Sequence, residues 1–121
     1  MANNKSAKKR IKINQRNNLK NRFYKSAVKT IEKSFMKDLQ VWENEITSYD
    51  SPSVSLPIWE KEVMIYNLLT LKQTLSLLYS LLDKGTKRNV FSKNRAARQK
   101  SRLAFNFQKA CSMKRIKRSI L

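Results

Sequence analysis

Histidine is absent from this chain of 121 residues, glycine and cysteine occur once each, and proline occurs twice. Without imidazole the commonest general base is missing, and so is any His-based metal site. One glycine cannot build the glycine-rich loops that cradle phosphates in nucleotide-binding folds. A lone Cys111 can form no intrachain disulfide, which fits a reducing compartment, and beside Phe107 and Met113 it reads as a small apolar residue. With so few turn residues, tightly turned sheets are excluded, and the expectation is an all-α chain of one domain.

Acidic residues are missing from both ends. Met1 to Ile31 holds ten Lys or Arg and no carboxylate, and Lys84 to Leu121 holds thirteen and none. All eight acidic residues fall between Glu32 and Asp83, against four basic ones, so the net charge of +19 is carried by two arms around a mildly acidic middle. Like charge at this density opposes compaction unless a polyanion neutralises it, and a nucleic-acid backbone gains further from counterion release. An anionic membrane surface is the weaker competitor. The carboxylate pairs Glu43 with Glu45 and Glu60 with Glu62 stand two apart and share no helix face. No enzyme, cofactor, metal ion or small-molecule substrate is expected.

What is present is helical periodicity. Tyr24, Val28, Ile31, Phe35, Leu39, Trp42 and Ile46 follow intervals of 4, 3, 4, 4, 3 and 4, a core-facing stripe along a first helix expected over residues 1–46. Its first part, Met1 to Arg22, has only Ile11, Ile13 and Leu19 as large apolar residues and cannot bury itself; it is expected to be poorly ordered until phosphates screen it. Thr47 to Pro57 has loop composition, and Pro57 suits the first position of a second helix over 57–87. There Met64, Leu68, Leu71, Leu75, Leu78 and Leu82 alternate by four and three, while Ile65, Leu69, Tyr79 and Leu81 widen the arc, as expected of a central helix with two neighbours. The apolar window Val63 to Leu82 is long enough for a membrane span, but Lys72 and Gln73 at its centre exclude one, since a central Lys costs about 2.5–3.5 kcal/mol.

Arg88-Asn89-Val90-Phe91 reverses the chain, with Asn89 suited to a left-handed position, and Ser92 is placed to cap a third helix over 92–118. In it Arg95, Arg98, Arg102 and Lys109 lie on one side, and Ala96, Leu103, Phe107 and Ala110 form an adjacent apolar strip. The run Asn94 to Arg102 resembles in part the basic region of leucine-zipper transcription factors. There, however, the Ala pair follows the Asn by three and four residues, not two and three, and the chain beyond Leu103 offers no heptad leucines.

Both arms together carry a closer match. Met1-Ala2-Asn3-x-Lys5-Ser6-Ala7-Lys8-Lys9-Arg10 and Lys93-Asn94-x-Ala96-Ala97-Arg98-x-Lys100-Ser101-Arg102-Leu103 resemble, in the right order, the family of the bacterial-type small-subunit ribosomal protein numbered twenty. Asp83-Lys84 and the run Tyr24-Lys25-Ser26-Ala27-x-Lys29-Thr30 add to this, the latter similar to the cyanobacterial and plastid branch. The resemblance implies a three-helix bundle with a long projecting basic N-terminal helix. It implies a structural constituent of the small subunit that binds its ribosomal RNA directly, at the 5′ domain and the long helix near the 3′ end, and stabilises RNA packing during assembly. It further implies a monomer within the ribosome, with other small-subunit proteins as neighbours. Where the family has Gly-x-Ile-His before the Lys-Asn pair, Asn89-Val90-Phe91-Ser92 stands here, and the middle from Asp38 to Tyr66 is longer than expected.

Residues assigned to ribosomal RNA are Lys5, Ser6, Lys8, Lys9, Arg10, Lys12, Arg16, Arg22 and Lys25 on the first arm, and Lys93, Asn94, Arg95, Arg98, Lys100, Ser101 and Arg102 on the second. The basic ones would neutralise the backbone, and Ser6, Asn94 and Ser101 would supply hydrogen bonds. The opening Met-Ala-Asn-Asn-Lys lacks the apolar core of a signal peptide, so no cleaved segment is expected. The Asn- and Lys-rich composition and the Tyr24 to Thr30 run favour a ribosome in the plastid (chloroplast) stroma, with a bacterial cytoplasm as the alternative.

Overall fold

The computed structural model describes residues 4–48 and 58–112, which form three α-helices: α1 Lys5–Ser48, α2 Ile58–Lys87 and α3 Lys93–Cys111. Among the described residues there is no strand. Asn67 Nδ2 donates to Glu45 Oε2 at 3.3 Å, joining the start of α2 to the end of α1. At the other end of α2, the Arg88 guanidinium lies 5.4 Å from the Tyr24 ring centroid. The two helices are therefore antiparallel. α3 returns alongside, its Asn106 amide 3.6 Å from Met36 Sδ, so its N-terminus shares the Tyr24 end of the bundle.

The core is the stripe read from the sequence. Tyr24, Val28, Phe35, Leu39, Trp42 and Ile46 are buried, with half-buried Ile31 packed against them. α2 contributes Leu71, Leu78 and Leu82, and α3 contributes Ala96, Leu103 and Ala110. Met64, Leu68 and Leu75, the other members of the α2 stripe, are half-buried against this cluster, whereas Ile65 and Leu69 face outward. α2 thus packs on both neighbours over part of its circumference. Each fully buried Leu or Phe side chain stabilises by roughly 1.5–3 kcal/mol.

The basic tip departs from expectation. It is helical from Lys5, with the Lys8 N–H donating to the Asn4 carbonyl at 3.0 Å. The cause is cooperativity: the packed stem supplies the costly nucleus, and a segment free of Gly and Pro extends the helix residue by residue. No side chain before Tyr24 on α1 is buried among the described residues, so Lys5 to Phe23 forms a rod about 28 Å long at 1.5 Å per residue, part of which passes the end of the bundle.

The turn between α2 and α3 is a Schellman motif. The Val90 N–H donates to the Gly85 carbonyl at 2.9 Å and the Asn89 N–H to the Thr86 carbonyl at 3.0 Å, with Asn89 left-handed at φ 57°. Phe91 folds back over Gly85 so closely that a Cβ there would sit 2.6 Å from the ring. Ser92 caps α3, its Oγ accepting from the Arg95 N–H at 3.3 Å. Ser112 closes the described part of α3 with its N–H on the Gln108 carbonyl; the expected continuation to Arg118 lies outside the described residues, as do Pro57 and the loop 49–57.

Candidate nucleic-acid interface

Three features bring the two arms to one end of the molecule: the antiparallel α2, the tight turn after it, and the capped start of α3. Lys5, Ser6, Lys8, Lys9, Arg10, Lys12, Arg16, Arg22 and Lys25 are all exposed on α1, and Lys93, Asn94, Arg95, Arg98, Ser101 and Arg102 are exposed on α3. The first turn of α1 contains no acidic residue, and neither does that of α3. The positive ends of both helix dipoles therefore add to the basic side chains.

Lys100 differs from the rest. It is half-buried, its Nζ forms an ion pair with the Asp83 carboxylate of α2, and it lies 5.6 Å from the Tyr79 ring centroid. Tyr79 Oη in turn donates to the Lys100 carbonyl at 3.3 Å. Much of this side chain's charge and reach is taken up in joining α2 to α3. Arg98 Nε donates to the Asn94 carbonyl at 3.3 Å, which lays the guanidinium along its own helix, and Arg95 sits 5.6 Å from the Phe91 ring centroid. Both remain open to solvent.

Other residues join the surface that sequence reasoning did not select. Stepping back from Tyr24 by three, four, three and four residues, the line of the core stripe continues through Asn21, Asn17, Asn14 and Arg10. Where the bundle ends, amides replace apolar side chains. Asn17, Lys20, Asn21 and Tyr24 face Arg88, Asn89 and Val90 across a cleft between α1 and the turn. The signal was present in the spacing, but continuing a core stripe into polar residues has meaning only once the turn is known to stop there. An Asn amide both donates and accepts, as recognition of ribose hydroxyls and base edges requires.

Chemistry of other kinds has little to build on. Burial pushes the Cys111 thiol above its ordinary value, with nearby Lys72 partly opposing, so it stays protonated at neutral pH. Among the described residues no group of three His, Cys, Asp or Glu could hold a metal ion, and no helix is long and apolar enough to cross a membrane.

The architecture defines a class: small three-helix proteins that present a broad basic face at one end of an apolar bundle. Comparison with known proteins narrows it. Residues 2–108 match the family described as ribosomal protein S20. The chain is 50% identical over 104 residues to the small ribosomal subunit protein bS20c of Trieres chinensis, covering 86% of this chain and 94% of that protein. Identity and coverage are the same for bS20c of Phaeodactylum tricornutum. With the small ribosomal subunit protein bS20 of Crocosphaera subtropica it is 37% over 112 residues, 93% of this chain and 98% of the other. The chain belongs to the ribosomal protein S20 family of the small subunit, in its plastid-type branch. The relatives it matches are proteins of the small ribosomal subunit.

Proposed function

We propose that the chain, acting as a single RNA-binding domain, binds small-subunit ribosomal RNA directly and holds separate RNA helices together during assembly. The observation that carries this reading is the convergence of two acid-free basic arms at one end of the bundle, one extending along α1 past the turn and the other running back from the turn along α3. A rigid rod and a short flanking face, set at a fixed distance by a packed core, suit two RNA segments held at a fixed spacing. Contacts through phosphate and ribose would make shape, more than base sequence, the basis of selectivity.

In this reading the exposed residues assigned above neutralise the backbone, Asn14, Asn17 and Asn21 read the ribose edge, and Lys100 chiefly fixes the geometry of α3. By analogy with the family the targets are the 5′ domain and the long helix near the 3′ end, bound by one copy per subunit. Similarity to the bS20c proteins supports a plastid ribosome over a bacterial one.

The experiment is a salt titration of affinity for a 5′-domain RNA fragment beside a B-form DNA duplex of equal length. RNA binding that persists where the duplex is released is expected. Equal affinities and equal slopes would reduce the protein to a general polyanion binder.

A further inference from the structure

The end of the bundle remote from the basic arms has the opposite character. From Asp38 to Ser48 α1 carries three carboxylates and no Lys or Arg, and the first turns of α2, residues 58–70, add two Glu against one Lys. On α2, Trp59, Val63 and Tyr66 follow intervals of four and three and form a strip 64%, 51% and 67% exposed. Further along the bundle, beside Thr70 and Leu71 of α2, Val41 of α1 is 49% exposed. Val41 lines a cleft with Asp38, Trp42 and Glu45 of α1 and Asn67, Thr70 and Leu71 of α2, and Asn67 and Thr70 continue the face of the strip at the next helical intervals after Val63 and Tyr66.

We infer that this surface docks a basic amphipathic segment of another protein, its apolar side on Val41, Trp59, Val63 and Tyr66 and a Lys or Arg directed to Asp38 and Glu45. Large exposed aromatics gathered in one patch mark interfaces, since isolated apolar residues are ordinary on surfaces but contiguous ones are not. Charge selects the occupant. Carboxylates beside the patch repel a phosphate backbone, which argues against RNA, and favour a basic partner. A second copy is disfavoured because each copy carries a net charge of +19.

Two measurements test this. In the first, the free full-length chain is titrated with a Leu/Lys amphipathic helical peptide, a Leu/Glu peptide of the same pattern, and oligouridine, following tryptophan emission. Trp42 is buried and Trp59 exposed, so a blue shift that vanishes in Trp59→Phe reports on the patch. Only the Leu/Lys peptide is expected to produce it, and Asp38→Asn with Glu45→Gln should weaken it about tenfold. A shift with oligouridine, indifference to the two carboxylates, or no shift at all overturns the inference. So does a shift with protein concentration alone, which would mean self-association, or emission already buried in the free chain, which would mean that its own residues cover the patch.

In the second, a photoreactive benzoylphenylalanine replaces Tyr66 in chain assembled into small subunits. A crosslink to a Lys- or Arg-bearing segment of another protein supports the inference, and one to RNA, to a second copy or to this chain overturns it. Failure to enter the subunit would count against the proposed function, while the peptide titration would still decide the docking surface.

Discussion

The two halves of α1 share one backbone and little else. From Tyr24 to Ile46 the helix is held by packing: a stripe at intervals of three and four disappears beneath α2 and α3. From Lys5 to Phe23 nothing is buried, and the same intervals carry asparagines and an arginine. A helix needs a core to begin but not to continue, so the stem can support a rod that leaves the bundle past the turn and offers most of its circumference to a partner.

The contrast is broken most severely from the stem. Leu78 is 0% exposed, and Leu78→Asp would place an unpaired carboxylate in the centre of the bundle. A loss of several kcal/mol and collapse of the thermal transition are expected by circular dichroism. Retention of native melting would refute the central placement of α2. Leu78 is a sharper probe than Leu75, which shares its stripe but is only half-buried.

Gly85→Ala is the next largest effect. In an open helix this change stabilises by up to about 1 kcal/mol, but here the new methyl meets the Phe91 ring and must push it out. A net loss of about 1–3 kcal/mol is expected from chemical denaturation, together with weaker RNA binding as the start of α3 shifts. A stabilised variant would mean that the turn yields easily.

Arg98→Glu then separates surface from core. Melting should be unchanged, affinity for the RNA fragment should fall about tenfold, and the slope of log affinity against log salt should flatten by about one. Unchanged affinity in a folded variant would remove Arg98 from the interface. Lys100→Gln is the informative partner. Its pair with a largely exposed Asp83 contributes under about 1 kcal/mol, so a small drop in melting temperature and a smaller loss of affinity than at Arg98 are expected.

The smallest effect belongs to the rod. Leu19 is 69% exposed, and Leu19→Asp should change stability by less than about 0.5 kcal/mol while weakening RNA binding through the added negative charge. A large drop in melting temperature would show that the tip packs against something.

Features encoded over short sequence distances were legible in advance: the α1 stripe, the Ser92 cap, the left-handed Asn89 and the basic face of α3. Each depends on residues within a turn or two of one another. What escaped depends on residues brought together by the fold. Lys100 meets Asp83 across 17 positions and two helices, so spacing alone could not divide it from Arg98. The requirement for Gly85 is not visible in the spacing of α2, because the ring that requires it lies beyond the turn. The charge of the tip taken alone predicts disorder, but the stem supplies the nucleus from which the helix extends to Lys5.

The segregation of charge along α1 has a kinetic consequence. With carboxylates gathered at one end and an acid-free rod at the other, the molecule is an electric dipole some tens of ångströms long. In the field of a folded nucleic acid such a dipole experiences torque before contact. The rod would lead and the acidic end trail, so that productive orientation is selected during diffusion instead of by trial after collision.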